Sequence, residues 1–193
     1  KTTLTSALAP LLNMPRVHGS PMRDPAGSEP KSLEDCSELE LLQLTLRRFA
    51  ERITAEERSP AGFLSDGSTL HEWVYLVVRL AVGRQPHDDQ ELIPHGLAAA
   101  RFDVARHLGA VFKQRTSEAY DLFIHLPADI PLPAGETAIN ERFRVLSDQL
   151  LLNVLDELGC PVHVVRGGLR ERVEQIRGLL MSQKLSGNSA VTR

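Results

Sequence analysis

Two short runs constrain this chain most. Leu122-Phe123-Ile124-His125-Leu126, closed by Pro127, and Val162-His163-Val164-Val165, set between Pro161 and Gly167-Gly168, are apolar at nearly every position. A strand with one wet face alternates apolar and polar residues. A strand covered on both faces does not, and such strands belong to parallel sheets flanked by helices. Phe63-Leu64, leading into Ser65-Asp66-Gly67-Ser68, reads as another strand end, and Arg16 to His18 as a brief one. Helical spacing fills the intervals. Leu39, Leu42, Leu46, Phe49 and Ile53 predict a helix over about 33–58, and Leu97, Ala100, Val104, Leu108 and Val111 one over about 94–116. Phe143, Leu146, Leu150, Val154 and Leu158 predict a helix over 139–158 that Gly159 stops. Leu169, Val173, Ile176 and Leu180 mark a last helix, and Leu4, Leu8, Leu11 and Leu12 a short first one. Strands alternating with helices give an α/β fold in three layers.

Composition narrows the function classes. At 193 residues, 42% hydrophobic and 24% charged, the chain is long enough for one domain with a real core. We read 1–185 as that domain and 186–193 as a C-terminal tail. A net charge of −3 and a pI near 6.2 give no pull toward nucleic acid or anionic membranes. No run approaches a membrane span. Lys1 to Pro15 has the outline of a signal peptide, but Thr2, Thr3, Thr5, Ser6 and Pro10 interrupt its apolar residues. Cys36 and Cys160 are too few for a disulfide framework or a zinc site, which points to a reduced, cytoplasmic setting. The seven histidines show no metal-ligand spacing, and no nucleophile elbow occurs.

Five places could carry chemistry. Lys1-Thr2-Thr3-Leu4 opens a helix and matches the end of G-x-x-x-x-G-K-[ST], where a lysine reaches phosphate oxygens and a hydroxyl binds Mg²⁺. A threonine-rich helix start would cap equally well. Asp66 ends a strand, where α/β sheets bind ligands, and could hold Mg²⁺ or take a proton. The same residues also suit a helix-entry turn, with capping-box spacing at Thr69-Leu70-His71-Glu72. Arg142 and Arg144 follow a proline-rich loop and could offset phosphoryl charge or simply line a wet helix face. Arg23 could bind an acceptor or pair with Asp24 or Glu29. Trp73 could stack on an acceptor or lie in the core.

In order, these pieces resemble the P-loop kinase superfamily, specifically the thymidylate-kinase-like and nicotinamide-riboside-kinase-like ATPase domains. Lys1-Thr2-Thr3-Leu4 resembles the end of the Walker A motif, Phe63-Leu64-Ser65-Asp66 the strand ending in an aspartate, and Tyr120 to Pro127 the strand leading into a lid at about 127–145. Val164-Val165-Arg166-Gly167-Gly168-Leu169 resembles the last strand and its adenine-side loop. The resemblance implies a P-loop NTPase-like parallel sheet of about five strands with helices on both faces. It also implies ATP and Mg²⁺ as cofactors and phosphoryl transfer to a small acceptor such as a nucleoside. Lys1, Asp66, Arg142 and Arg144 would be catalytic. Lys1, Thr2, Thr3, Gly167 and Gly168 would bind nucleotide, Thr2 and Asp66 the metal, and Arg23, Asp66 and Trp73 the acceptor. Two departures stand out: the glycines of Walker A are missing before Lys1, and Gly67 replaces the family's arginine after the aspartate. We expect the glycine-rich loop and the first strand to precede Lys1 in the gene. A regulatory ATP- or GTP-binding protein without an acceptor is the alternative, and a purely helical interaction module a third reading. No heptad run marks an interface, which leaves a homodimer open.

Overall fold

The computed structural model describes residues 2–17, 36–83, 86–89, 91, 98–127 and 139–187, with backbone alone for 98–101 and 183–187. The elements run α1 (Thr2–Leu12), β1 (Arg16–Val17), α2 (Glu38–Glu57), β2 (Leu64–Ser65), α3 (Thr69–Val82), α4 (Ala98–Ala119), β3 (Phe123–His125), α5 (Glu141–Glu157), β4 (Val162–Val164) and α6 (Leu169–Gly187). Among the described residues no helix is long and apolar enough to cross a membrane.

The strands are very short and form two parallel ladders. Arg16 and Val17 pair with Leu64 and Ser65, and Phe123 to His125 pair with Val162 to Val164. The expected single sheet of about five strands is therefore not what the described residues form: β1–β2 and β3–β4 are separate two-stranded units. They still form a middle layer. Phe123 and Val162 pack against a large cluster from α2, α3, α4 and α5, while Leu64, Ile124 and Val165 meet Leu4, Leu8 and Ile176 of α1 and α6.

Helix α3 is the hub of the larger side, in contact with α2, α4 and α5. Leu70, Trp73, Val74, Leu76, Val77, Val78, Leu80 and Val82 are all buried, so its apolar residues cover most of the circumference rather than one stripe. It starts at Ser68, whose backbone N–H donates to His71 Nδ1 at 3.1 Å and whose hydroxyl meets the same nitrogen at 2.8 Å. The cap is thus Ser68 with His71, one position ahead of the predicted box. At α2 the cap is reciprocal: Ser37 Oγ accepts from Glu40 N, and the Glu40 carboxylate accepts from Ser37 N. Gly159 ends α5 as predicted, at φ +64°, a conformation glycine adopts without steric cost.

The predicted helices at α2 and α4 exist, but their buried faces are rotated from the leucine stripes. Leu39 and Leu46 of α2 and Val104 and Val111 of α4 are exposed. Leu41, Leu44, Thr45, Arg52 and Glu56 go inside on α2, and Ala105, Phe112 and Thr116 on α4. The reason is chemical: the inner faces carry polar groups that find partners there.

Candidate functional site

The turn after β2 is held from below. Arg52, 3% exposed, reaches out of α2 with Nη1 donating to Ser65 Oγ at 2.9 Å and to the Gly67 carbonyl at 3.3 Å. It therefore grips the residues on either side of Asp66. Its Nη2 donates to Glu72 Oε1 at 3.1 Å, and Arg48, one helical turn earlier, binds both oxygens of the same carboxylate at 2.6 and 3.0 Å. Burial opposes the Arg48 charge, but Glu72 more than offsets it and raises its pKa. A Cβ at residue 67 would sit 3.5 Å from Arg52 Nη2, an ordinary van der Waals contact, so the guanidinium lies directly against this turn.

A second buried carboxylate fixes the neighbouring helix entry. Glu56, 2% exposed, accepts from the Tyr120 hydroxyl and from Arg115 Nη2 at 3.0 Å. The same tyrosine oxygen accepts from Thr69 N at 3.1 Å. Burial and the adjacent Glu56 charge push the Tyr120 phenol well above its ordinary pKa, which keeps it a donor.

Onto this fixed turn comes the start of α1. Thr2 Oγ1 donates to Asp66 Oδ2 at 2.9 Å, joining residues 64 positions apart. Two oxygens at this separation match adjacent corners of a Mg²⁺ octahedron, whose metal–oxygen distance of about 2.1 Å sets the edge near 2.9 Å. The same spacing is that of an ordinary hydroxyl–carboxylate hydrogen bond, so these are the two oxygens that would hold a magnesium ion, and their distance permits it without singling it out. No group of three or more metal-ligating side chains occurs among the described residues.

The other predicted residues fall as follows. Thr3 is exposed beside Thr2 on α1. Lys1 and Arg23, and most of the expected lid (128–138), lie outside the described residues. Gly167 and Gly168 form the turn into α6, where Gly168 N–H donates to Glu171 Oε2 at 2.6 Å and a Cβ on Gly167 would collide with that carboxylate. The turn follows Val165, which shares a buried cluster with Leu4 of α1. Arg142 and Arg144 lie in the first turn of α5, Arg144 Nε 3.2 Å from Glu141 Oε1. Arg144 also lines a cleft of about 270 Å³ with His71, Asp148 and Arg172.

Trp73 needs correction. It is 5% exposed, its indole N–H donates to the Ala105 carbonyl at 2.7 Å, and a Cβ on Gly109 would come within 2.7 Å of its ring. The residue is a core wedge between α3 and α4, and its ring is closed to an acceptor. Conversely, the reading of residues missed Arg48, Arg52 and Glu72. Their one sequence signal is the i,i+4 spacing of Arg48 and Arg52, which the leucine stripe placed on the wet face.

A family model described as an AAA domain matches residues 1–172. The match spans most of the chain, and the chain belongs to that family. It is a P-loop NTPase-type domain, of the α/β class. No curated protein and no solved structure matches it.

Proposed function

We propose that this AAA-family domain binds ATP with Mg²⁺ and transfers the γ-phosphoryl group to a small acceptor such as a nucleoside or related metabolite. The observation that carries the reading is the Thr2–Asp66 hydrogen bond, made on a turn that a buried arginine clamps from both sides. Bound magnesium would neutralise charge on the β- and γ-phosphates. Thr2 Oγ1 and Asp66 Oδ2 are its protein ligands in this reading. Asp66 Oδ1 is left to orient the acceptor hydroxyl and take its proton. Lys1 holds phosphate oxygens, Arg142 and Arg144 offset charge from the start of α5, and the Gly167-Gly168 turn borders the nucleotide. Such chemistry is almost entirely positioning and charge stabilisation, which is why a clamped turn suits it.

The test is ADP release from Mg·ATP, with and without a panel of nucleosides and related hydroxylated metabolites, both neutral and anionic, in the full chain and in Asp66→Asn. We expect release to be stimulated by an acceptor and to fall by about 100-fold in the variant, the size of effect seen when one charge-stabilising group is removed. Slow release that no acceptor stimulates would assign the chain to regulatory nucleotide binding instead. Unchanged release in Asp66→Asn would remove Asp66 from the site.

A further inference from the structure

The cleft at the carboxyl end of β3 has features that the Thr2–Asp66 pair does not use. Its wall includes Val74 of α3 and Leu151 of α5, and its polar lining includes Ser147, Asp148 and Arg172. Ser147 is 4% exposed, yet its Oγ makes no hydrogen bond. Arg172 Nε is also buried without a partner, and its guanidinium enters no ion pair among the described residues. Buried polar atoms left unmatched cost free energy, so a native protein keeps them where something else completes them. Charge indicates what that is. Arg144 is matched by Glu141, and Asp148 Oδ2 lies 3.4 Å from His125 Nε2. Arg172 remains as the uncompensated cation, and a guanidinium binds phosphate or carboxylate through paired N–H donors. Asp148 is partly open and accepts hydrogen bonds from hydroxyl groups.

The position also suits an acceptor. His71 lines the cleft and is hydrogen-bonded to Ser68, two residues beyond Asp66, so the cleft adjoins the turn that carries the carboxylate. At about 270 Å³ the cleft is at the small end for a ligand pocket, which favours a compact molecule.

We propose that this cleft is the acceptor site, and that it takes a small hydroxylated anion, its acidic group on Arg172 and its hydroxyls on Asp148. The inference rests on the phosphotransferase reading for the word acceptor, but not for the binding itself. D-ribose 5-phosphate, D-gluconate and D-ribose serve as probes, titrated calorimetrically into the full chain without nucleotide. The first two carry phosphate and carboxylate, and the third neither. We expect at least one anion to bind ten-fold or more tightly than D-ribose, and the better one identifies the acidic group. Arg172→Gln should abolish that preference, and Ser147→Ala should weaken it several-fold. Arg170→Gln, altering a neighbour whose side chain is 92% exposed, should leave it intact. Equal binding of all three probes, or an anion preference that survives Arg172→Gln in a chain with unchanged thermal midpoint, would overturn the proposal. Anion binding without phosphoryl transfer would sink the kinase reading and leave the cleft assignment standing.

Discussion

The two sides of the strand layer are built on different terms. On the side of α2 to α5 a large apolar cluster surrounds α3, and inside it lie two paired carboxylates, Glu72 with Arg48 and Arg52, and Glu56 with Arg115 and Tyr120. On the side of α1 and α6 the buried cluster among the described residues is Leu4, Leu8, Val165 and Ile176, rimmed by partly buried residues such as Leu12, Val173 and Leu180, and it encloses no ion pair between described residues. The candidate site straddles the two: Asp66 stands on the heavily determined side and Thr2 on the sparsely determined one. The contrast teaches that the two halves of one hydrogen-bonded oxygen pair need not be equally rigid. The carboxylate is fixed by the core, while the hydroxyl is delivered by a helix that a few leucines hold.

The sharpest way to break this contrast is Glu72→Ala. It strands Arg48 and Arg52 without their shared carboxylate, and removing one partner of a buried pair costs about 3–5 kcal/mol. Urea unfolding should read that loss, and a change below about 1 kcal/mol would mean that packing alone fixes the turn. Next is Leu8→Ala on the sparse side. We expect about 2–3 kcal/mol, at the low end for a buried leucine because a small cluster can relax into the gap. Hydrogen exchange should speed up in α1 and leave α3 protected, and equal acceleration in both helices would erase the distinction.

Smallest is Tyr120→Phe, which withdraws a donor from Glu56 and an acceptor from Thr69, for about 1–2 kcal/mol at neutral pH. Its pH dependence has a definite sign. The folded phenol titrates above the ordinary tyrosine value of 10.0, because burial and the adjacent Glu56 charge oppose the phenolate. Its contribution is therefore complete below about pH 10 and disappears as pH rises through the folded pKa. The stability gap between wild type and variant should be constant from pH 7 to about pH 10 and close above that. A gap that widened in alkali would reverse the assignment.

Helices could be read from spacing wherever the inner face is apolar. Helix α5 is the clear case: Phe143, Leu146 and Val154 of its predicted stripe are buried and Gly159 ends it. At α2 and α4 the period was legible but its phase was not, because Arg52, Glu56 and Thr116 occupy inner positions that hydropathy assigns to solvent. Helix α3 was missed for a different reason: its apolar arc is broad, leaving His71, Tyr75 and Arg79 on one narrow face, and the turn chemistry at Ser65 to Ser68 drew the reading instead. The reading of Asp66 and Thr2 as neighbours came from motif order, whereas the clamp by Arg52 has no motif.

By itself the sequence determined local matters: where α5 and α6 run, that Gly159 stops α5, that β3 and β4 are strands, and which oxygen-bearing side chains stand at the element ends. Period, cap and turn chemistry act over a few residues and can be read there. The expected cover on both strand faces is incomplete, since no residue of β3 or β4 is fully buried and Val164 is 55% exposed. Tertiary structure alone decided which face of α2 goes inward, that Trp73 is a core wedge, and that Ser147 and Arg172 share a cleft. These depend on charges and shapes from distant segments meeting, and a buried ion pair appears only once both partners have lost their water together.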